Sequence, residues 1–419
     1  MRPSLLIIPA NETPGVLMPQ IPFNGTADFT VSRTTTPANN STRVNSSGLI
    51  EIVNDNVPRI DYLNQSCPAL LVEASGQNLA LQSAGFQVSG TWSPTNISVT
   101  TGSTSAFTAP DGTTNADLFT STASAVSFLA QTITIASGAA TFSVFAKAGN
   151  HGIFRIGNVS SAARAAWFDL NAGAVIGTVN GGTASIQNYG SGWYRCIFTA
   201  SSVVSGGSTF IIAISDAANG TASVSGATMY AWGAQLEAGS IATTYIPTTT
   251  GTGSRAADVI SASGALVSGL IGQTEGTIYA EVDIRNLGVV RSFINVQDSS
   301  YAGNAVRIEC NASNQFRIQI RAATVSALDQ TITSPTFTTG INKVAMAYNN
   351  AASGVVFAFN GSIIYTSASA VTMPSGMDRV HLGTRFLGTY DLFFNDRIRA
   401  AALYTTRLDN ATLEQLTKL

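Results

Sequence analysis

Apolar and polar residues alternate with a period of two through most of the chain beyond residue 77. Residues 131–135 and 141–146 are clear examples, because each run places its apolar side chains on one face of an extended strand. Turn-forming sequences rich in Gly and Asn, such as residues 180–182 and 219–220, separate these runs. Short alternating strands with no helical stretch between them predict an antiparallel β-sandwich, most simply a jelly roll.

A second set of alternating strands begins near residue 276, with the run at residues 277–284. It contains Asn360-Gly361, a dipeptide typical of a two-residue β-hairpin turn. After its last strand, residues 408–416 predict a short helix capped by Asp409 or Asn410. The sequence therefore predicts a second antiparallel β-sandwich that ends in a short C-terminal helix.

The first 77 residues follow neither the helical nor the strand period. Prolines recur through the first 22 residues and exclude a long helix there. Residues 32–78 combine small polar residues with short apolar pairs, and such a long irregular segment is rare unless another surface orders it. We therefore expect an N-terminal arm that docks on a neighbouring protein or on a second copy of the chain. The predicted divisions are an arm at 1–77, a first sandwich at 78–248, a Thr- and Gly-rich linker at 249–275 and a second sandwich at 276–419.

Charge content, apolar runs and cysteine spacing exclude several classes of ligand and site. Charged residues make up 11% of the 419 residues, against roughly 25% in an ordinary soluble domain. The formal net charge of −2 offers no basic stripe, so we expect no nucleic-acid ligand. No apolar run reaches the roughly 18 residues that predict a membrane-spanning helix. The three cysteines are Cys67, Cys196 and Cys310. Their wide spacing matches neither a disulfide framework nor a zinc-binding pattern, so we expect them to be small, buried apolar residues.

Several blocks of the sequence resemble a family of tailed-bacteriophage virion proteins. In the N-terminal region they are Ser32-Arg33, Thr42-Arg43-Val44-Asn45, residues 48–51 (GLIE), Pro58-Arg59-Ile60-Asp61-Tyr62 and residues 67–73 (CPALLVE). Further matching blocks follow at residues 110–117 (PDGTTNAD), 142–149 (FSVFAKAG), 192–195 (GWYR), 230–239 (YAWGAQLEAG), 245–248 (YIPT) and 255–258 (RAAD).

The resemblance implies an N-terminal arm followed by carbohydrate-binding-like β-sandwiches. It implies a jelly roll for the first sandwich, and the strand order of the second resembles concanavalin-A-like, laminin-G-like lectin domains. The candidates for anchoring and oligomerisation are residues of the matching N-terminal blocks, namely Arg33, Arg43, Pro58, Arg59 and Tyr62.

Aromatic side chains near predicted turns are the candidates for sugar binding, because aromatic rings stack on the apolar face of a pyranose while nearby polar groups bind its hydroxyls. Trp92 lies in a turn-rich stretch of the first sandwich and is expected to be an exposed platform. Tyr301, Arg385, Phe386 and Tyr390 lie in predicted loops at one end of the second sandwich, where packing at an interface is the alternative. Trp193 and Trp232 alternate with apolar neighbours and are expected in the core.

Calcium is a candidate cofactor, because lectin-like sandwiches often bind it through carboxylate, amide and backbone oxygens. Asp298 with Asn304, or Asp391 with Asn395 and Asp396, could supply such oxygens, and ordinary loop capping by these side chains is the alternative.

Catalysis has weaker support in the sequence. The two histidines, His151 and His381, lie in different sandwiches, and neither is in a nucleophile-elbow context. Glu281 and Asp283 project from the same face of a predicted strand, as a glycosidase pair could, but a solvent-exposed face explains them equally well.

The leading hypothesis is therefore a non-catalytic virion protein, assembled in the host cytoplasm, whose sandwiches bind host-surface glycans. Weak sites repeated in a homo-oligomer, most simply a trimer, would gain affinity through avidity. Three alternatives stay open: a purely structural decoration or connector protein, a surface-polysaccharide depolymerase, and a bacterial adhesin or secreted lectin.

Overall fold

The chain forms two antiparallel β-sandwiches and a short C-terminal helix in a computed structural model. The structure describes residues 2–8, 12–13, 16–17, 28–34, 41–64, 67–88, 90–158, 164–300 and 303–419. The predicted all-β fold with two antiparallel sandwiches is confirmed.

Short strands precede the first sandwich. In the described part of the chain they are β1 (Leu5–Ile7), β2 (Glu12–Thr13), β3 (Val16–Leu17), β4 (Phe29–Ser32), β5 (Thr42–Val44), β6 (Ile50–Ile52), β7 (Ile60–Asp61), β8 (Ala69–Val72) and β9 (Gly76–Asn78).

The first sandwich contains β10 (Ser93–Thr95), β11 (Ile97–Thr101), β12 (Asp117–Ser121), β13 (Ser127–Ile135), β14 (Gly138–Ala148), β15 (Ile153–Asn158), β16 (Ala165–Asp169), β17 (Ala174–Asn180), β18 (Gly182–Asn188), β19 (Trp193–Val203), β20 (Gly206–Ile214) and β21 (Thr228–Ala238), with a 3₁₀ turn at Ser105–Phe107. One six-stranded sheet has the order β10-β13-β20-β15-β16-β17, and the other has the order β11-β12-β21-β14-β19-β18. Alternating apolar residues such as Phe142, Phe154 and Phe210 fill the core between the two sheets.

The rest of the chain contains β22 (Gly253–Arg255), β23 (Val259–Ser263), α1 (Ala265–Ser268), β24 (Gly276–Ile284), β25 (Arg291–Gln297), β26 (Ala305–Cys310), β27 (Phe316–Ala322), β28 (Val325–Ile332), β29 (Gly340–Tyr348), β30 (Val356–Phe359), β31 (Ser362–Thr366), β32 (Arg379–Leu382), β33 (Arg385–Phe386), β34 (Tyr390–Asp391), β35 (Asp396–Tyr404) and α2 (Asn410–Thr417). An eight-stranded sheet has the order β31-β30-β29-β24-β35-β8-β7, with β1 also paired to β35. A nine-stranded sheet has the order β2-β3-β4-β23-β32-β25-β26-β27-β28. These two sheets enclose the core of the second sandwich.

Strands of the predicted arm are built into the second sandwich. β1 pairs with the end of β35 through Leu5 and Leu403, β8 pairs with the start of β35 along the same edge, opposite β24, and β4 pairs with β23. For the described strands, the chain's own second sandwich supplies the pairing edges and buries Leu5 and Ile7, so these strands need no neighbouring subunit to order them; contact of the arm with a neighbour stays a prediction. β23, which lies within the predicted linker, likewise joins the nine-stranded sheet.

A cluster of buried ion pairs fixes the arm to the start of the second sandwich. Asp258 binds Arg33 at 2.8 Å and also binds Arg59, while Glu73 binds Arg59 at 2.8 Å and Arg255 at 3.4 Å. Burial by itself raises the pKa of Glu73, but Arg255 and Arg59 outweigh burial and lower that pKa to about 2. The cluster is ionised at neutral pH and stabilises one arrangement of three chain segments.

The predicted anchoring residues are occupied inside the chain. Arg33 and Arg59 are fully buried in this cluster, and Pro58 is buried beside them. Arg43 pairs with Glu51 within the β5–β6 hairpin at 2.7 Å, and Tyr62 packs against the core of the second sandwich. The prediction that Arg33 and Arg59 contact a partner is wrong, because their guanidinium groups already bind carboxylates of the same chain.

The C-terminal helix covers one outer face of the second sandwich. Asp409 caps α2 by accepting a hydrogen bond from the Thr412 backbone N–H at 2.7 Å, which resolves the two predicted caps in favour of Asp409. Leu413 packs with Tyr279, Ala345 and Ala402 of the eight-stranded sheet. We call this surface the covered face.

Candidate functional site

The outer face of the nine-stranded sheet carries a row of polar side chains across five neighbouring strands. His381 pairs in register with Asn295, Asn295 with Arg307, Arg307 with Gln319, and Gln319 with Asp329. Side chains alternate along each strand, so the apolar neighbours of these residues point into the core while the row points outward. We call these five residues the polar row.

Hydrogen bonds connect most of the polar row. Arg307 Nε donates to Asn295 Oδ1 at 3.0 Å, and Arg307 Nη1 donates to Gln319 Oε1 at 3.1 Å. Gln319 Nε2 in turn donates to Asp329 Oδ2 at 3.1 Å. Arg307 is only 2% exposed, so these bonds lie in a partly dehydrated environment that strengthens them.

Two side chains at the His381 end of this face have polar atoms without a partner. His381 is 3% exposed, and neither of its ring nitrogens has a hydrogen-bond partner among the described residues. Gln297 accepts from Asn295 Nδ2 at 2.7 Å, but its own Nε2 donor also lacks a partner in the described part of the chain. Buried donors and acceptors left in this state cost about 1–3 kcal/mol each, so a further hydrogen-bonding partner at this place would be favourable.

The imidazole of His381 is neutral at physiological pH. Burial, together with the nearby positive charges of Arg379 and Arg307, lowers the pKa of His381 to about 4. A neutral imidazole offers one N–H donor and one nitrogen acceptor.

A short hairpin lies over this end of the polar row. We call it the flap, defined by β33 and β34 and their connection, residues 385–391. The Phe386 and Tyr390 rings lie 4.5 Å apart and contact the imidazole of His381 at 5.9 and 5.7 Å between ring centroids. Arg385 binds both carboxylate oxygens of Asp391, at 3.0 and 2.6 Å, and its Nη1 lies 3.4 Å from Glu309 of the sheet. Both aromatic side chains of the flap are partly exposed.

The structure brings together three of the predicted sugar-binding residues. Arg385, Phe386 and Tyr390 all lie in the flap, beside Asp391. Tyr301 lies outside the described residues. Trp92 is 3% exposed, packs edge-on against Phe86 at 5.0 Å, and donates its indole N–H to Gln82 O at 3.3 Å. The expectation of an exposed platform at Trp92 is therefore wrong, because the turn around it folds its ring into the first core; Trp193 and Trp232 are buried as expected.

The predicted calcium ligands do not converge. Asp298 accepts hydrogen bonds from Ser300 and from Asn304 Nδ2, at 2.8 Å in the latter case, so this pair closes its own loop. Asp391 is fully engaged by Arg385, and Asp396 is buried against Arg291 at 2.8 Å. No group of three or more potential ligands from His, Cys, Asp and Glu occurs among the described residues. Arginine binds Asp391 and Asp396, and a loop amide binds Asp298, so local structural roles account for these carboxylates, and calcium binding stays a prediction.

Other predicted residues have ordinary structural roles. Glu281 pairs with Arg399 at 2.8 Å, and Asp283 pairs with Arg285 at 2.9 Å. Cys196 and Cys310 are buried as expected, whereas Cys67 is exposed, which corrects the expectation for that residue. Neither helix in the described part of the chain has the length and apolar character needed to span a membrane.

The polar row itself was missed by sequence reasoning. Its signal was present as polar residues at alternate positions in strands whose other positions are Val, Ile or Phe: Asn295 and Gln297, Arg307 and Glu309, and Gln319 and Arg321. That pattern predicts one polar face, and only the register of five strands shows that these residues meet in one row.

Comparison with known proteins gives no family for this chain. No family model matches it, and no curated protein sequence matches it. Similar solved structures include the CBM40 module of the Ruminococcus gnavus IT-sialidase bound to α2,3-sialyllactose, at 17% identity and a TM-score of 0.32, covering 35% of this chain and 84% of that chain. The K499G mutant of NanB sialidase from Streptococcus pneumoniae is 11% identical with a TM-score of 0.32, covering 36% and 25%. A heptameric SAP-like pentraxin from Limulus polyphemus is 10% identical with a TM-score of 0.26, covering 34% and 69%. With TM-scores this low, none of the three says what this chain binds.

Proposed function

We propose that the protein is a non-catalytic glycan-binding protein whose binding site is the polar row together with the flap. The observation that carries the proposal is the combination, at one place, of two partly exposed aromatic rings and buried polar atoms that lack partners in the described part of the chain. His381 lies under Phe386 and Tyr390, so the apolar and the hydrogen-bonding parts of the site are adjacent.

Sugar chemistry fits this combination. A pyranose has an apolar face that stacks on aromatic rings and a rim of hydroxyls that both donate and accept hydrogen bonds. Phe386 and Tyr390 supply the stacking surface, and His381 and Gln297 supply donors and an acceptor that no described residue of the chain binds. Arg307 already donates hydrogen bonds to Asn295 and Gln319, so its role in the proposed site is to position the polar row and not to bind the ligand.

The proposal includes the virion context implied by the resemblance of the N-terminal blocks. A homo-oligomer on a bacteriophage particle, most simply a trimer, would present several such sites to the host surface, and avidity would compensate for weak single-site binding. Because Arg33 and Arg59 are buried within the chain, contact with other virion proteins would use different residues.

The test is binding of the full chain to a glycan array and to intact candidate host cells, before and after the double substitution Phe386→Ala with Tyr390→Ala. We expect saturable binding that falls by about tenfold or more in the double variant, since stacking and exclusion of water are lost together. Phe128→Ala is the matched control, because Phe128 is a partly exposed aromatic on the first sandwich. Equal binding by both variants and the native chain would place the site elsewhere. No binding to any glycan or cell would favour the purely structural alternative.

A further inference from the structure

The unpartnered atoms beneath the flap also indicate which kind of sugar the site accepts. We propose that the flap site selects uncharged, hydroxyl-rich sugars over acidic sugars, and that His381 is a residue that sets this preference. This inference rests on the proposed glycan-binding function and concerns the ligand class of the same site.

The first step is the hydrogen-bonding character of His381. Its imidazole is neutral, so one ring nitrogen donates and the other accepts, and neither has a partner among the described residues. A sugar hydroxyl can satisfy either nitrogen, because it both donates and accepts. A carboxylate can only accept hydrogen bonds. It would therefore satisfy the ring N–H of His381, but it has no proton to donate to the lone pair of the other ring nitrogen.

The second step is the state of the surrounding charges. Arg385 is bound to Asp391 at 2.6 Å, and Arg317 is bound to Asp329 at 2.5 Å. Arg379 lies two residues before His381 in β32 and is bound to Asp378 at 3.1 Å. An acidic sugar would have to compete with a carboxylate of the protein for each of these arginines, whereas an uncharged sugar leaves the ion pairs intact.

The third step is access. Phe386 and Tyr390 cover His381 through ring contacts, and both are partly exposed. Binding at the imidazole would require these two side chains to rotate away from it. A hydroxyl of a stacked sugar could then reach the ring nitrogens of His381. The site would thus contact both the apolar face of the pyranose and its rim of hydroxyls.

The experiment compares ligands that differ only in charge. The full chain is applied to an array carrying neutral hexose and N-acetylhexosamine oligosaccharides beside the same backbones bearing uronic or sialic acid. We expect neutral ligands to bind about tenfold or more tightly than their acidic counterparts, since an unsatisfied buried polar atom is worth about that factor.

Two substitutions at one position separate a hydrogen-bonding role from a packing role. His381→Gln keeps a donor and an acceptor, so we expect neutral-glycan affinity within about threefold of the native chain. His381→Leu has similar bulk but no polar atom, so we expect a loss of about tenfold. His151→Leu in the first sandwich is the matched control and should bind as the native chain does, with circular dichroism used to confirm that each variant is folded.

The outcomes separate the two proposals. Equal or tighter binding of acidic glycans, or native affinity in His381→Leu, would overturn the selectivity inference while leaving glycan binding in place. Absence of binding to every neutral and acidic glycan would overturn the proposed function itself.

Discussion

The two outer faces of the second sandwich are built from similar alternating strands, but one face buries apolar side chains and the other buries polar side chains. On the covered face, α2 places Leu413 against Tyr279, Ala345 and Ala402, so apolar surface meets apolar surface. On the nine-stranded sheet, the flap lies over a buried row of His, Asn, Arg and Gln side chains. One face is completed by the chain itself, and the other retains polar atoms that have no hydrogen-bond partner among the residues that the structure describes.

This difference suggests that the covered face contributes mainly to the stability of the fold and the face beneath the flap mainly to ligand binding. Burial of apolar side chains under α2 stabilises the fold in proportion to the area removed from water. Burial of His381 and Gln297 has the opposite effect as far as the described residues show, because their ring nitrogens and amide Nε2 have no partner there. Substitutions on the covered face should therefore change stability, whereas substitutions beneath the flap should change binding more than stability.

The largest effect is expected on the covered face. Leu413→Ala removes a fully buried side chain and leaves a cavity, so we expect the free energy of unfolding to fall by about 2–5 kcal/mol. Urea unfolding followed by circular dichroism measures the change. Leu416→Ala is the control, because Leu416 is only partly buried on the same helix and should cost less. Glycan affinity of the folded Leu413→Ala fraction should equal that of the native chain; a parallel loss of affinity would mean that the two faces are coupled.

The next effect is a pH dependence that belongs to the polar row. His381 has a pKa lowered to about 4 in the folded state, whereas an unfolded His titrates near about 6.5. Between these values the unfolded chain binds more protons, so the free energy of unfolding falls as the pH is lowered from about 6.5 towards 4. From pH 7 to pH 4.5, we expect the native chain to lose about 2–3 kcal/mol more than His381→Leu.

Unfolding in urea at several pH values tests this difference. Carboxylates that titrate over the same range are common to both proteins, so the difference between the two curves isolates His381. Parallel curves for the native chain and His381→Leu would show that the imidazole is solvated or already paired.

The third effect concerns the centre of the polar row. Arg307→Met keeps the aliphatic volume but leaves Asn295 Oδ1 and Gln319 Oε1 without their donors, so we expect a stability loss of about 1–3 kcal/mol. Arg399→Met is the matched control, because Arg399 pairs with Glu281 near the opposite sheet's surface and is worth about 0–1 kcal/mol. Similar losses in the two variants would show that the polar row is no more dehydrated than an ordinary surface ion pair.

Much of the fold was predictable because its determinants are local. Alternation, Gly- and Asn-rich turns and the Asp409 cap are each set within a few residues, and the two sandwiches and α2 follow from them. The position of the N-terminal strands was not predictable in this way. Leu5 meets Leu403, and Arg33 meets Asp258, across separations that no short pattern specifies.

The candidate site was predictable only in part for the same reason. Arg385, Phe386 and Tyr390 are close in sequence, so their clustering could be expected from a loop alone. His381 and Asn295 become neighbours only through the pairing of β32 with β25. Trp92 shows the converse error, because a turn-rich sequence predicts exposure and says nothing about a core that lies beneath the turn.

The smallest effect is expected in the flap itself. Asp391→Asn weakens the pair with Arg385, and since the side chain of Asp391 is 41% exposed, we expect a stability loss of only about 0.2–1 kcal/mol. Arg385 keeps its contact with Glu309 at 3.4 Å, so the flap should stay over His381 and glycan affinity should change by less than about threefold. Glu51→Gln is the matched control, because Glu51 pairs with Arg43 at 2.7 Å with its side chain 36% exposed, in the β5–β6 hairpin outside the flap and the polar row. If Asp391→Asn alone abolished glycan binding at unchanged stability, the Arg385–Asp391 pair would be setting the geometry of the aromatic platform, and the flap rather than the polar row would be the part of this face on which recognition depends.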